Sequence, residues 1–450
     1  MPSFHTNGVL FKNVFGTPEM REIFSEERFI ERFLEVEAAL ARVQADLGII
    51  PAWAAEEITE RATLDHLDMD RVEENVAEVH LFSMSIIDAW KDELGDAGEY
   101  VHWGATTQDI GDTALILQVR EGLDVVERDV AAVADALETL TERHAETPMM
   151  GRTHMVHAIP ITFGLKTASW LDEVNRHRDR LAAIRDRVEV LEFFGATGTL
   201  ASLGEEGLAV QEGLAEELDL GVPDVAWFAA RDRIADAVAT LGLVTSTMAR
   251  IAKQVLFMNR EEVGEASEPH DEGAIGSSTM PHKRNPVKSE ETVLLGRLTR
   301  AHVGSAMELM ETADERDFSA TLGEFAVVPE TFLYVSRALA YVHDVTADLV
   351  VHEEGLERNL HHHGPVVASE AVMMGLADEL GRQTAHDLTH EAAGRALDGE
   401  ASFVDALLEN DSIAAAFSRE ELESMADPAS YVGQSARLAR RALEHSRARE

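Results

Sequence analysis

The sequence predicts an all-α protein built on a bundle of long helices, and three observations carry that prediction. Apolar residues recur at helical spacing over stretches longer than an ordinary helix. Strand-like alternation is scarce. Glycine and proline collect in a few short interruptions between the long stretches.

Phe29, Phe33, Val36, Leu40, Val43 and Leu47 form one apolar stripe, with Ser25 placed to cap its start, Glu26 and Glu27 in the first turn, and Gly48 and Pro51 at its end. Residues 114–145 and 165–192 read as two more long helices. Ile234, Val238, Leu241, Val244, Met248, Ile251 and Val255 mark another. No fixed repeat of the solenoid kind is present. Near-heptad stripes predict nearly parallel packing, and helices with two apolar faces call for neighbours on both sides, hence self-association. The spacing alone fits a monomeric bundle as well.

With 450 residues and 45% hydrophobic content, the chain exceeds one ordinary core. No apolar run reaches the length of a membrane span, and the opening "MPSFHTNGVLFKNVFG" lacks the pattern of a signal peptide. There are no cysteines, which excludes disulfides, thiol catalysis and cysteine metal sites. These features predict a cytoplasmic protein. The net charge of −44 disfavours nucleic acid as a partner. The acids are spread along the chain, and six lysines stand against 33 arginines. A lysine-poor acidic surface fits a halophilic protein, in which salt screens self-repulsion. Against that background Lys283 and Lys288 stand out, two of the six lysines within one short segment.

The interruptions are the places to look for chemistry. They fall at "YVHWGATTQDIGDT" (100–113), "TPMMGRTHMVHAIPITFG" (147–164), "FFGATGTLASLGEEG" (193–207), "GAIGSSTMPHKRNP" (273–286) and "HHHGPVV" (361–367). The fourth joins Gly273 and Gly276, two hydroxyls on Ser277 and Ser278, and the donors Lys283 and Asn285. Such a set suits an anionic substrate, and loop amides with an ammonium nearby would turn a serine into a base. His361, His362 and His363 come with no further ligand pattern, so no metal is predicted.

The run "GSSTMPHKRNP" closely resembles the signature of the fumarase/aspartase superfamily. "YVHWGATTQDIGDTA" and "MMGRTHMVHAIPITFGLK" look like that family's first and second conserved regions. "FGTPEMREIFSEERFIERFLEVEAALARVQADLGIIP", "GATGTLASLG" and "DPASYVGQSARLARRAL" resemble the branch that holds adenylosuccinate lyase and 3-carboxy-cis,cis-muconate lactonizing enzyme. The resemblance implies three domains, here residues 1–107, 108–355 and 356–450. It implies a homotetramer whose central helices form one bundle, with each active site shared by three subunits. The implied reaction is a β-elimination that usually releases fumarate, with no metal or organic cofactor.

By position in these motifs, Ser277 matches the family's base, and His154 matches the general acid of the adenylosuccinate lyases, a role suited to a near-neutral pKa. His80, in "AEVHLF", falls at a second active-site histidine. Lys283 and Asn285 match residues that hold the substrate carboxylate and its developing charge, with about 3–4 kcal/mol expected per well-placed donor. Thr106, Thr107 and Thr153 match gripping hydroxyls. Ser278 and Met280 lie within the signature, and Arg316, in "DERDFS", matches an arginine near the site. His157 is expected to pack beside the site.

The departures bear on the substrate. Adenylosuccinate lyases of the nearest type hold the nucleotide phosphate with Arg-Tyr where this chain has Val14 and Phe15. A glutamine of theirs is Ala230, and a phosphate-anchoring arginine is Phe325. Bacterial lactonizing enzymes, for their part, lack histidines at the places of His80 and His154. The expected activity is C–N cleavage of an N-succinyl, aspartate-derived compound, with adenylosuccinate first and another aspartate adduct second. Lactonization of carboxymuconate follows, and a non-catalytic crystallin-like scaffold is the rival of another class.

Overall fold

The computed structural model describes residues 6–270, 280 and 283–449. The long helices used below are α1 (Glu26–Asp46), α3 (Thr107–Arg143), α4 (Phe163–Val188), α5 (Asp232–Met258), α6 (Val287–Glu308) and α7 (Phe318–Ala347), with the shorter α2 at Met69–Val79. The fold is all-α, as the periodicity predicts. It divides into two compact units, each assembled from three stretches: Met1–Val130, His177–Ala249 and Glu291–Ala340 in the first, and Ala131–Arg176, Arg250–Glu290 and Tyr341–Glu450 in the second.

In the first unit, Ser25 caps α1, its Oγ accepting from the Arg28 N–H at 3.1 Å. The α1 stripe is buried at Phe33, Val36 and Leu40, and it ends at Leu47, which is exposed. Arg28 and Arg32 both reach Glu121 of α3, at 2.9 and 2.6 Å, and tie the solvent edges of the two helices together. On α5, Ile234, Val238, Leu241, Val244 and Met248 are all buried. The backbones of α5 and α6 approach closely, because a Cβ on Gly242 would lie 2.4 Å from Val303 Cγ2. A side chain at that position would push the helices apart.

Among the described residues two helices, α5 and α7, are long and apolar enough by composition to cross a membrane, but 72% and 56% of their most apolar windows are buried within the protein.

The second unit contains a departure from helix that carries candidate site residues. Residues 147–164, read above as an interruption, form an antiparallel hairpin of β1 (Pro148–Thr153) and β2 (Val156–Thr162). Thr153 pairs with Val156, leaving a two-residue turn at His154 and Met155 whose φ angles are 51° and 66°. Positive φ at both central residues is the type I′ pattern that matches strand twist. Its usual sign is Asn-Gly, so His-Met gave no turn signal. The C-terminal helices carry their own core of Val372, Leu376, Phe403, Leu407, Ile413 and Leu422.

Candidate active site

In the first unit the segment before α3 is held by buried side chains. Asp109 sits at the third helical position and accepts the Thr106 N–H at 2.9 Å, the return half of a capping box. Its carboxylate also accepts the N–H groups of Phe194 (2.7 Å) and Gly195 (3.0 Å). One acid thus fixes both the 100–107 segment and the 193–200 segment. His102, at φ 58°, is gripped by Glu37, which accepts its backbone N–H at 3.0 Å and lies 2.6 Å from its Nδ1. Burial opposes the charged imidazole there, but Glu37 outweighs it and the His102 pKa is raised.

On this frame Thr106 Oγ1 accepts from Arg316 Nη1 at 2.8 Å, and Arg316 Nη2 donates to the Ala196 carbonyl at 2.6 Å. The Arg316 guanidinium also lies over the Phe228 ring, 4.8 Å from its centroid. Thr107 Oγ1 accepts from Ser83 Oγ at 2.8 Å. Thr106, Thr107 and Arg316 are therefore brought together. His80 lies in the same unit, exposed, as the left-handed C-cap of α2 with φ 59°.

Beneath α3 lies a nest of acids. Arg231, fully buried, donates to Asp112 at 2.6 and 3.1 Å and to Glu324 through Nε at 3.0 Å. Glu192 is also buried; among the described residues its carboxylate accepts only the Trp227 N–H (2.9 Å), through Oε2, and Oε1 has no partner. Burial, with Asp112 and Asp109 adding, pushes its carboxyl up to about 9. Burial likewise lifts Asp109 to about 7 against its three N–H bonds. None of these acids, nor His102, was singled out by motif.

In the second unit Thr153 and His154 stand exposed at the hairpin tip, His154 on the first of the two positive-φ positions. The strand behind them is braced by Arg152, whose guanidinium forks onto the buried Glu265 at 2.9 and 2.6 Å. His157 packs its ring against His362 and His363, each 5.5 Å away by centroid. Burial first, then Arg152 and the two histidines, lowers its pKa. Among the described residues no group of three or more His, Asp or Glu is placed to hold a metal ion.

Ser277 and Ser278 lie outside the described residues. Around them, Met280 is partly exposed, its carbonyl accepts the Lys283 N–H at 3.1 Å, and Lys283 and Asn285 are exposed. The described residues on either side make fixed contacts of their own. Ala266 and Ser267 pair with Val350 and Val351, and the Glu268 carboxylate accepts the Lys288 and Ser289 N–H groups at the start of α6, at 3.3 and 2.6 Å.

A family model described as Lyase matches residues 14–300, and one described as Adenylosuccinate lyase C-terminus matches residues 365–442. The chain is 39% identical over 94% of its length to an N-acetyl-S-(2-succino)cysteine lyase of Enterococcus italicus, covering 93% of it. It is 35% identical to an adenylosuccinate lyase of Pyrococcus horikoshii, covering 96% of each. The crystal structure of the 3-carboxy-cis,cis-muconate lactonizing enzyme from Pseudomonas putida superimposes with a TM-score of 0.93 at 35% identity, over 98% of this chain and 99% of that one.

Proposed function

The chain belongs to the fumarase/aspartase superfamily of lyases, and on that premise we propose that it releases fumarate by β-elimination from a small N-succinyl, aspartate-derived compound. Ser277, as an oxyanion, takes the proton from the carbon next to a carboxylate. Lys283 and Asn285 hold that carboxylate while it gains charge. The C–N bond then breaks, and His154 supplies the proton that the departing nitrogen needs. Thr106, Thr107 and Thr153 grip the succinyl carboxylates, Ser278 and Met280 line the signature segment, and Arg316 orients Thr106 through its hydrogen bond. His80 assists from a second polypeptide, since the family's sites are assembled from three protomers of a tetramer.

The observation that carries this reading is the placement of His154. It is displayed, exposed, at the tip of a two-residue turn whose strand is braced by the Arg152–Glu265 pair, so its imidazole is free to meet a substrate. The environment of the phosphate-anchor positions favours a small substrate. Phe325 packs between Phe29 and Phe82, with ring centroids 5.1 and 5.6 Å away, and Phe15 packs on Tyr334 at 6.0 Å. An aromatic cluster offers a phosphate dianion none of the charge-assisted bonds it loses from water.

A second reading, C–S elimination from an S-succino thioether, is favoured by the 39% identity to the Enterococcus italicus lyase. Fumarate formation, followed with N-succinyl amino compounds, N-acetyl-S-(2-succino)cysteine and adenylosuccinate, together with loss of the conjugated-diene absorbance of carboxymuconate, separates the readings. Turnover of the small N-succinyl adducts well above the rest is expected. Preference for adenylosuccinate would overturn the small-substrate reading, and carboxymuconate as the sole substrate would overturn the elimination. With the best substrate, His154→Asn should lower turnover by about 10²–10⁴-fold. Unchanged turnover would remove the acid assignment.

A further inference from the structure

Two of the six lysines meet in one cavity of the second unit, of about 370 Å³. Its wall carries Arg152, Lys166, Arg250, Lys253 and Arg260, with Phe257 among its apolar lining. Two of the five cations have a carboxylate, Arg152 on Glu265 and Arg250 on Glu173. Among the described residues, Lys166, Lys253 and Arg260 have none. Lys253 and Arg260 lie instead by the face of Phe257, 5.8 and 4.7 Å from its centroid.

In a chain with 83 acids against 39 bases, five cations on one wall reverse the local sign of charge. Elsewhere single arginines collect acids: Arg185 holds Asp124, Glu127 and Glu189, and Arg395 holds Glu400 and Glu409. Here three positive charges converge without that compensation. Burial lowers the pKa of Lys166, with Arg152 and Arg250 adding and Glu265 opposing. A volume in the range of small-molecule sites, an apolar lining and convergent donors are the features of a built pocket. Met155, which follows His154 in the turn, also lines it.

We propose that this cavity binds a small organic anion, a carboxylate or phosphate group carried on an apolar or aromatic body. The charged group is held by Lys166, Lys253 and Arg260, and the body lies toward Phe257 beside the His154–Met155 turn. An anion there gains charge-assisted hydrogen bonds and relieves the mutual repulsion of the cations.

The probe is phenyl phosphate, with inorganic phosphate as the head group alone, titrated calorimetrically into the full chain at constant ionic strength. Saturable binding of phenyl phosphate, tighter than that of inorganic phosphate, is expected. The double variant Lys253→Ala/Arg260→Ala should weaken it by about tenfold or more, the loss expected for one charge-assisted bond. Absence of binding, or equal binding by the variant, overturns the proposal. So does a variant that changes oligomeric state, because the cations would then serve a second copy of the chain and not a ligand. Where the best substrate is known, competitive inhibition by phenyl phosphate identifies the anion as part of the substrate, and non-competitive inhibition or activation identifies a free effector; either supports the site. The binding readout needs no turnover, so its failure is separate from failure of the proposed reaction.

Discussion

The acid nest under α3 and the cationic cavity of the second unit are opposite solutions to local excess charge. In the nest, Asp112 and Glu324 hold one arginine while Glu192 and Asp109 lie close by, among the described residues without a cation of that kind, and every member is buried. Burial penalises their charged forms, so the excess is removed by protons, with Glu192 neutral until about pH 9. In the cavity the excess is positive, Lys253 and Arg260 are exposed, and solvent or a ligand supplies the compensation. The nest is therefore a structural device that fixes the Thr106 segment, while the cavity keeps charge available for binding.

The sharpest way to break the contrast is Arg231→Met. It leaves Asp112 and Glu324 buried without their cation and should cost about 3–5 kcal/mol at neutral pH, read by chemical denaturation. A cost near zero would mean that the nest is held by protons alone. Glu192→Gln is next. The native protein keeps a proton on Glu192 up to about 9, whereas the unfolded chain releases it at the ordinary value of 4.5. Between those pH values the native state binds more protons, so this group makes stability fall as pH rises, by at most about 1.4 kcal/mol per unit. Glutamine has no proton to lose, and the variant should unfold with a flatter pH dependence above neutrality. An unchanged slope would place the proton elsewhere in the nest. The smallest effect belongs to Lys253→Ala, which without added anion should shift stability by no more than about 0.5 kcal/mol, as for other exposed side chains. A large loss would mean that the cavity, like the nest, is structural.

Much of the helical frame was legible because burial writes a period into the sequence. The stripes at 29–47 and 234–255 became α1 and α5, and the Ser25 cap is where its chemistry placed it. The hairpin was not legible, because the type I′ turn at His154 and Met155 uses residues that carry no turn signal. The candidate threonines, His80, His154, Lys283, Asn285 and Arg316 were found by motif. Their supports, Asp109 on Phe194 and Gly195 and Glu37 on His102, were not, because a hydrogen bond across dozens of residues leaves no spacing to read.

The sequence by itself determined the helices, the caps, the family and the segments that hold the chemistry, all properties carried by neighbours along the chain. Tertiary structure decided that Asp112, Glu192, Arg231 and Glu324 are buried in one cluster, and that cations from β1, α4, α5 and the turn after it face one cavity. The physical reason is range. Helical periodicity is fixed within a few residues, whereas the charge state of a buried group depends on whatever the fold brings within a few ångströms of it.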